Sequence, residues 1–246
     1  MHYFILENEK LNAGHFYQLR EEDNYHAVRV LRLKTGETIA LSDGLGTVFS
    51  GTVFSVDDGI LTVQLQEKMN SAESQLKITL AQGLVKGEKF DLIVRQAVEL
   101  GVSEIQPLHL ERSVPHRNEK KAEKRLQRWR AIVRSATAQC RRATLPAINE
   151  VISLEAYLGQ IDNSFLIVPW ECEESFSLNK LLQKPSPAGG KVSVFIGPEG
   201  GFGDKEIELL GKAGAVFVHL GPRILRSETA ATAVIAVLQS AWGDLV

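Results

Sequence analysis

Short apolar runs alternate with turn-forming residues along the first 66 positions of the chain. The clearest runs are residues 38–41, 47–54 and 60–65. Asp58 and Gly59 lie between the last two runs, and an Asp-Gly pair accepts the positive φ angles that a tight hairpin turn requires. One short helix, at about residues 21–31, interrupts the pattern. The region is therefore predicted to form a small β-barrel.

The pattern changes after a polar, aperiodic stretch at residues 68–75. Beyond it, β-branched runs alternate with helical periodicity, which is typical of crossover connections and a largely parallel sheet. Strands are predicted at residues 77–81, 104–108, 165–168, 192–196 and 216–220. A helix over 88–100 is expected to end at Gly101, because glycine readily takes the left-handed conformation there. We therefore predict two domains, residues 1–72 and residues 73–246, the second of the α/β class.

Two later helices have unusual distributions of charged and apolar residues around their surfaces. Between Ala122 and Cys140, apolar residues recur every three or four positions, which predicts one buried stripe. The cations that fall outside this stripe, and so form a basic outer face, are Lys124, Arg128, Arg130 and Arg134. The last helix, at about 228–242, is apolar on all sides. Such a helix is expected either to be buried in the fold or to pack against a second subunit.

Length and composition limit the kinds of protein that this chain can be. The chain has 246 residues, of which 44% are hydrophobic, so it can bury a substantial core. No apolar run reaches membrane-spanning length, and the two cysteines, Cys140 and Cys172, have no C-x-x-C spacing. We expect a soluble, cytoplasmic protein that needs no metal ion and contacts no membrane.

Charge is distributed unevenly. The formal net charge is only −2, yet residues 111–142 contain 11 Lys or Arg and 3 Glu, a local balance of +8. A concentrated cationic segment gains affinity for a polyanion by releasing condensed counterions. Nucleic acid is therefore the predicted partner.

Two glycine-rich turns follow predicted strands near the C-terminal end of the sequence. Residues 192–196 lead directly into the turn 197–203, and residues 216–220 lead into the turn 221–226. Ser227 is predicted to be the N-cap of the helix after the second turn. In open α/β folds ligands bind at the carboxyl ends of the strands, so the two turns are predicted to converge on one binding site.

The motifs that are absent from the sequence disfavour several classes of ligand but do not identify the ligand. The dinucleotide motif G-x-G-x-x-G would need glycine at position 199, which is Glu199, and no G-x-x-x-x-G-K-[ST] phosphate loop is present. The six His residues are scattered, and no G-x-S-x-G nucleophile motif occurs. These absences disfavour phosphate-bearing cofactors, metal centres and nucleophilic hydrolases.

Residues 197–202 (GPEGGF) and 220–230 (LGPRILRSETA) resemble the signature of the ribosomal RNA small subunit methyltransferase E family, within the SPOUT superfamily. The likeness extends upstream through residues 26–32, 86–89, 99–101, 111–113 and 139–142. The chain departs from the family pattern at Tyr25, Gly203 and His2. Gly203 still serves as an N-cap, and with Glu206 it keeps half of a capping box.

The resemblance implies a fold and a cofactor. It implies a PUA-like β-barrel, then an α/β domain with a SPOUT-type parallel sheet and a trefoil knot, in a homodimer that methylates N3 of a uridine in 16S ribosomal RNA. S-adenosylmethionine is the implied cofactor. The residues implied to bind it are Val168, Pro169, Gly197, Pro198, Glu199, Gly200, Gly201, Leu220, Gly221, Ile224, Leu225, Arg226, Thr229 and Ala230.

Methyl transfer requires uracil N3 to be aligned with the methyl carbon and to lose its proton. Arg226 and Glu228 are expected either to orient the base and assist proton loss, or to form a buried ion pair that shapes the knot. The partner subunit's Arg112 is expected to approach the same pocket. The residues predicted to bind RNA are His26, Arg29, Arg32, Arg112, Lys121, Lys124, Arg125, Arg128, Arg141 and Arg142, with Arg117 and Lys120 beside them.

Two alternatives remain open from the sequence. A noncatalytic RNA-binding or ribosome-assembly factor would use the basic helix and the barrel without any cofactor. An α/β enzyme with a phosphate-bearing cofactor would use the same two turns.

Overall fold

The structure is a computed structural model that describes residues 1–7, 9–70, 73–114 and 119–246, except for the side chains of Glu119 and Lys120. Arg117 and the Lys120 side chain therefore lie outside the described residues. Contacts divide the chain into two compact units. The first unit is Met1–Glu73 with Arg134–Leu145, and the second is Ser74–Val133 with Pro146–Val246.

The first unit contains a five-stranded sheet. Its elements are β1 (His2–Ile5), β2 (Phe16–Gln18), α1 (Glu21–Tyr25), a π-helical turn (His26–Val30), β3 (Thr38–Ser42), β4 (Val48–Asp57) and β5 (Ile60–Met69). The strand order is β1-β3-β4-β5-β2, with only the β1–β3 pair parallel. Asp58 and Gly59 have φ angles of 51° and 79°, which confirms the predicted hairpin turn.

The second unit alternates strands and helices. Its elements are β6 (Lys77–Gly83), α2 (Lys89–Glu99), β7 (Glu104–His109), α3 (Glu119–Cys140), β8 (Ala147–Ile148), β9 (Ile152–Ser153), α4 (Leu154–Leu158), β10 (Phe165–Pro169), α5 (Leu178–Leu182), a 3₁₀ turn (Ala188–Gly190), β11 (Lys191–Ile196), α6 (Asp204–Lys212), β12 (Val216–Val218) and α7 (Ser227–Trp242). The last residues of α3, from Arg134 onward, belong to the first unit.

All strands of the second sheet are parallel, in the order β12-β10-β11-β6-β7-β8, with β9 beside β7. This confirms the predicted α/β class and parallel sheet. Val192, Val194 and Phe195 of β11 are fully buried, as expected for a central strand covered on both faces. The strand predicted at 216–220 ends at Val218, because His219 instead forms an isolated bridge with Ser177.

Residues 134–145 lie against the strands of the first unit. The Arg134 guanidinium binds the carboxylates of Glu7 and Asp23 and the Ile5 carbonyl. Arg142 forms an ion pair with Glu73 at 2.9 Å. The predicted domain boundary at residue 72 places residues 134–145 in the second domain, whereas the contacts place them in the first unit. The prediction that Arg134 belongs to an open basic face is wrong, because helical periodicity does not show partners far away in the sequence.

The last helix, α7, is buried on one side only. Ala231, Val234, Ile235 and Leu238 form its buried face, at the spacing of one helical stripe. Val237 is 38% exposed on the other side. The helix therefore packs into the fold and leaves a second apolar face uncovered within the chain. Among the described residues, no helix is long and apolar enough to cross a membrane.

Candidate functional site

A cavity of about 750 Å³ lies at the carboxyl ends of β10, β11 and β12, where the two predicted turns meet. Three loops form its wall: the segment after β10, the turn 197–202, and the segment 219–227 that leads into α7. Every residue that the sequence predicted for the cofactor lines this cavity except Val168, Gly200 and Thr229. The structure thus brings the two turns together, as predicted.

Several residues that line the cavity were not predicted from the sequence. They are Lys89, Trp170, Glu171, Glu173, Glu174, Ile196, Phe202, His219, Pro222, Arg223 and Ser227. Most follow β10 or flank the two motifs. The sequence signal for this part of the site was the acidic run after β10, which matches no known ligand motif. Only the order of the strands in the sheet places this run beside the glycine-rich turn.

The turn 197–201 is packed too closely for ordinary side chains. Gly201 has φ of +70°, a conformation that favours glycine. A Cβ on Gly197 would lie 3.2 Å from the Gly201 carbonyl carbon. A Cβ on Gly200 would lie 3.0 Å from the Arg112 Cβ, so this glycine faces away from the cavity. The glycines therefore allow the backbone itself to form the cavity wall.

Two buried side chains hold this turn in place. Gln82, fully buried at the end of β6, donates from Nε2 to Ser227 Oγ at 3.0 Å. Ser227 Oγ in turn donates to the Gly197 carbonyl at 2.6 Å. The prediction that Ser227 is the N-cap is wrong: Arg226 occupies that position, and its side chain makes no capping bond. The serine hydroxyl serves the cofactor turn instead of the helix end.

Glu206 fastens the other side of the turn. Its buried carboxylate accepts hydrogen bonds from the N–H groups of Gly203 at 2.7 Å and Glu111 at 2.8 Å. The first of these bonds confirms the predicted half capping box. Next to Glu111, Arg112 Nη1 donates to the Gly200 carbonyl at 3.0 Å. Arg112 therefore reaches the turn within its own chain.

Charged groups are linked along the rim of the cavity. Lys89 Nζ lies 3.3 Å from Glu199 Oε1 and 3.7 Å from Glu228 Oε1. Desolvation raises the pKa of Glu199, but hydrogen bonds from its own N–H, the Lys86 N–H and Lys89 outweigh it and leave the pKa below its usual value. Glu199 is therefore a carboxylate at neutral pH. Within the described residues Arg226 is exposed and forms no ion pair with Glu228, whose partner is Lys89.

The residues predicted to bind RNA are divided between the two units. Lys121, Lys124, Arg125, Arg128 and Arg112 belong to the second unit, and Lys124, Arg125 and Arg128 line a separate cavity. His26, Arg29, Arg32 and Arg141 are exposed in the first unit. Arg142 is only 11% exposed and is bound to Glu73, so a phosphate contact there would require this ion pair to break.

Models of known protein families match both parts of the chain. Residues 72–239 match the family model of an RNA methyltransferase domain, and residues 19–66 match that of an RNA methyltransferase PUA domain. The first match covers more than half of the chain.

Curated relatives are similar over nearly their whole length. The chain is 30% identical to the ribosomal RNA small subunit methyltransferase E of Bacillus subtilis, over 93% of this chain and 91% of the relative. It is 30% identical to the protein of the same name from Mycobacterium bovis, over 90% and 86% of the two chains. Among solved structures, the Neisseria gonorrhoeae ribosomal RNA small subunit methyltransferase E bound to S-adenosyl methionine is 33% identical, covers 100% of both chains and has a TM-score of 0.90.

Proposed function

Because the chain belongs to the ribosomal RNA small subunit methyltransferase E family, we propose that it transfers a methyl group from S-adenosylmethionine to N3 of a uridine in 16S ribosomal RNA. The observation that carries this proposal is the cavity of about 750 Å³ walled by the backbone of two glycine-containing turns at the edge of a parallel sheet. It is large enough for a nucleoside-sized ligand. The reaction is assigned to the cytoplasm, where small ribosomal subunits are assembled.

The residues present fit this cofactor. Apolar side chains such as Ile196, Leu220 and Leu225 line the cavity, together with backbone groups that can bind the edge of an adenine ring. The carboxylates in the lining are Glu171, Glu173, Glu174 and Glu199. Carboxylates attract the sulfonium and ammonium charges of S-adenosylmethionine and repel a polyphosphate. The cations Lys89, Arg223 and Arg226 also line the cavity. The absence of the phosphate-loop and dinucleotide motifs, rather than the charge of the lining, therefore disfavours a phosphate-bearing cofactor.

When bound, S-adenosylmethionine supplies a methyl group on a positively charged sulfur. The turns 197–201 and 220–225 hold the ligand through backbone groups and exclude water from one side of it. Arg226, which lines the cavity and is exposed, is assigned to the uracil, where a guanidinium stabilises the negative charge that grows as the N3 proton leaves. Glu228 acts through Lys89, which it shares with Glu199, and is assigned as a positioning residue.

Two measurements test the proposed function. Calorimetry should show that S-adenosylmethionine binds in a single site and that nucleoside triphosphates do not compete. Mass mapping of 16S ribosomal RNA from cells with and without the protein should show one methylated uridine that depends on it. Binding of RNA without binding of the cofactor would instead indicate a noncatalytic RNA-binding or assembly factor.

Ser227→Ala should weaken S-adenosylmethionine binding by roughly tenfold, because loss of the hydroxyl removes the donor to the Gly197 carbonyl, at a cost of about 1–2 kcal/mol. The Gln82 amide loses one of its acceptors but keeps the Gly83 carbonyl at 2.9 Å. Calorimetry measures the change. Ser240→Ala, an exposed serine on the same helix, is the matched control and should bind the cofactor normally. Equal affinity of both variants would show that the hydroxyl does not hold the turn.

We further propose that the C-terminal part of the second unit forms a trefoil knot. β12 lies at the edge of the sheet beside β10, whereas α7 packs against α2 on the far side of β11. The segment 219–226 therefore has to run back past the carboxyl ends of β10 and β11. The bond from Ser227 to Gly197 ties the end of this segment to the turn after β11. This course of the chain supports a threaded C-terminal segment.

The proposal also includes a homodimer. Ile224, on the rim of the cavity, is 87% exposed, and the face of α7 that carries Val237 is uncovered within the chain. Exposed apolar groups beside a site favour burial by a second protein surface. Sedimentation equilibrium should give twice the chain mass, and Ile224→Asp should shift the protein towards monomer.

A further inference from the structure

A second cavity, of about 530 Å³, lies between the β6–α2 loop and α3 in the second unit. Leu84, Val85, Lys86 and Gly87 form one side of it. Lys124, Arg125 and Arg128 of α3 form the opposite side. Val114, Asp91, Phe90 and Trp129 also line the cavity. Its volume is large enough for one nucleotide.

The floor of this cavity is formed by two buried aromatic rings. Phe90 and Trp129 are almost fully buried, with their ring centroids 4.3 Å apart. The Arg125 guanidinium lies over the Trp129 ring, 5.4 Å from its centroid. A planar guanidinium held over a buried aromatic ring offers a surface against which a nucleobase can pack.

The rim is cationic. Four of the lining residues are Lys or Arg, and Asp91 is the only acidic one among the described lining residues. Asp91 is already paired with Arg128. Lys86 and Lys124 are exposed and form no ion pair within the described part of the chain. Their two charges are therefore available to an anion that enters the cavity.

The lining of the second cavity is hydrogen-bonded to the lining of the cofactor cavity. The Lys86 N–H donates to Glu199 Oε1 at 3.2 Å, and Lys89 Nζ approaches the same oxygen at 3.3 Å. The loop that lines the second cavity is thus bonded to the turn that lines the first. A strand of RNA with its target base in the first cavity would carry a neighbouring nucleotide past the second.

We propose that the second cavity binds a nucleotide next to the target uridine, with its phosphodiester between Lys86 and Lys124 and its base against the Arg125 guanidinium. This proposal rests on the proposed function, because it places an RNA strand across both cavities. Such a contact would fix the strand's register and so direct the methyl group to one uridine.

The test compares two cations that line the cavity with one that lies outside it. Lys86→Gln and Lys124→Gln remove charges from the cavity, and Arg130→Gln removes one charge from an exposed position on the same helix that does not line it. Affinity for an unmethylated 16S ribosomal RNA transcript is measured by fluorescence anisotropy at several salt concentrations. Steady-state methylation kinetics and S-adenosylmethionine calorimetry are measured on the same variants.

Lys86→Gln and Lys124→Gln should each reduce kcat/KM for the transcript by about tenfold and lower the salt slope of binding by about 0.7, as expected for one lost phosphate contact to single-stranded RNA. Cofactor affinity should not change. Arg130→Gln should alter kcat/KM less than twofold. Equal losses for all three variants would overturn the proposal, because they would show general attraction by a basic helix rather than a nucleotide site.

The outcomes separate this proposal from the proposed function. If the wild-type protein binds no S-adenosylmethionine and transfers no methyl group, the proposed function fails. The RNA affinities of the three variants then still decide whether the second cavity binds a nucleotide. Normal RNA affinity and normal methylation in both Lys86→Gln and Lys124→Gln would overturn the proposal, because neither cation of the cavity would then contact the RNA.

Discussion

Gly83→Ala should lower the free energy of unfolding by about 2 kcal/mol and weaken S-adenosylmethionine binding by at least about tenfold. Gly83 ends β6, beneath the cofactor turn. A Cβ there would lie 2.8 Å from Pro198 Cδ, 2.9 Å from Pro198 N and 2.9 Å from Leu110 Cδ1. The proline ring and backbone cannot rotate aside as a flexible side chain can. The added methyl group must therefore push the whole turn, and the cavity wall that Pro198 forms moves with it.

Gly211→Ala is the control for this substitution. The same methyl group on α6 would have its nearest neighbour, Phe217 Cε2, at 3.8 Å, which is an ordinary contact. Alanine also favours a helix over glycine by up to about 1 kcal/mol. Gly211→Ala should therefore be as stable as the wild type or more so, with normal cofactor affinity. Urea denaturation and calorimetry measure both quantities. A destabilised Gly83→Ala protein with wild-type affinity would mean that the Pro198 turn does not contact the cofactor.

Arg134→Leu should destabilise the first unit by about 3 kcal/mol, because it leaves the partly buried carboxylates of Glu7 and Asp23 without their shared cation. The Arg134 side chain is only 19% exposed, so solvent cannot replace it fully. Glu7 keeps one partner, Arg20 at 3.3 Å, whereas Asp23 has no other ion pair among the described residues. Hydrogen exchange of the β1 and β3 amides, measured beside urea denaturation, locates the loss in this unit.

The matched variant is Arg130→Leu, which removes the same charge one helical turn earlier at an exposed position. Exposed charges contribute little to stability, so its cost should stay below about 1 kcal/mol. If both variants lose equally little, the Arg134 cluster contributes no more than a surface ion pair. If both lose 3 kcal/mol, the charge of α3 matters rather than its partners.

The sequence was sufficient to predict features that depend on neighbouring residues. The hairpin at Asp58 and Gly59, the buried strand β11 and the end of α2 before Gly101 each follow from a local pattern. The two glycine turns were correctly predicted to meet, because parallel strands present their carboxyl ends at one edge. The ligand's name came from the family resemblance and not from those patterns.

Long-range partners could not be predicted in the same way. Ser227 has the residue type and position of an N-cap, yet its hydroxyl is bound to Gln82 and Gly197, which are 145 and 30 residues away. Arg134 fits a solvent-facing position on its helix, yet its partner Glu7 is 127 residues distant. Periodicity reports which face of an element is polar. It does not report which distant group meets that face once the chain folds.

The hydrogen bonds from Gln82 to Ser227 and from Ser227 to Gly197 also bear on how the protein is made. Gln82 is synthesised 145 residues before Ser227 and Gly197 is synthesised 30 residues before it. A nascent chain whose residue 227 is still inside the exit tunnel cannot make either bond and so cannot complete the wall of the cavity. Cofactor binding should therefore begin only after Ser227 has left the exit tunnel, because both hydrogen bonds require its hydroxyl.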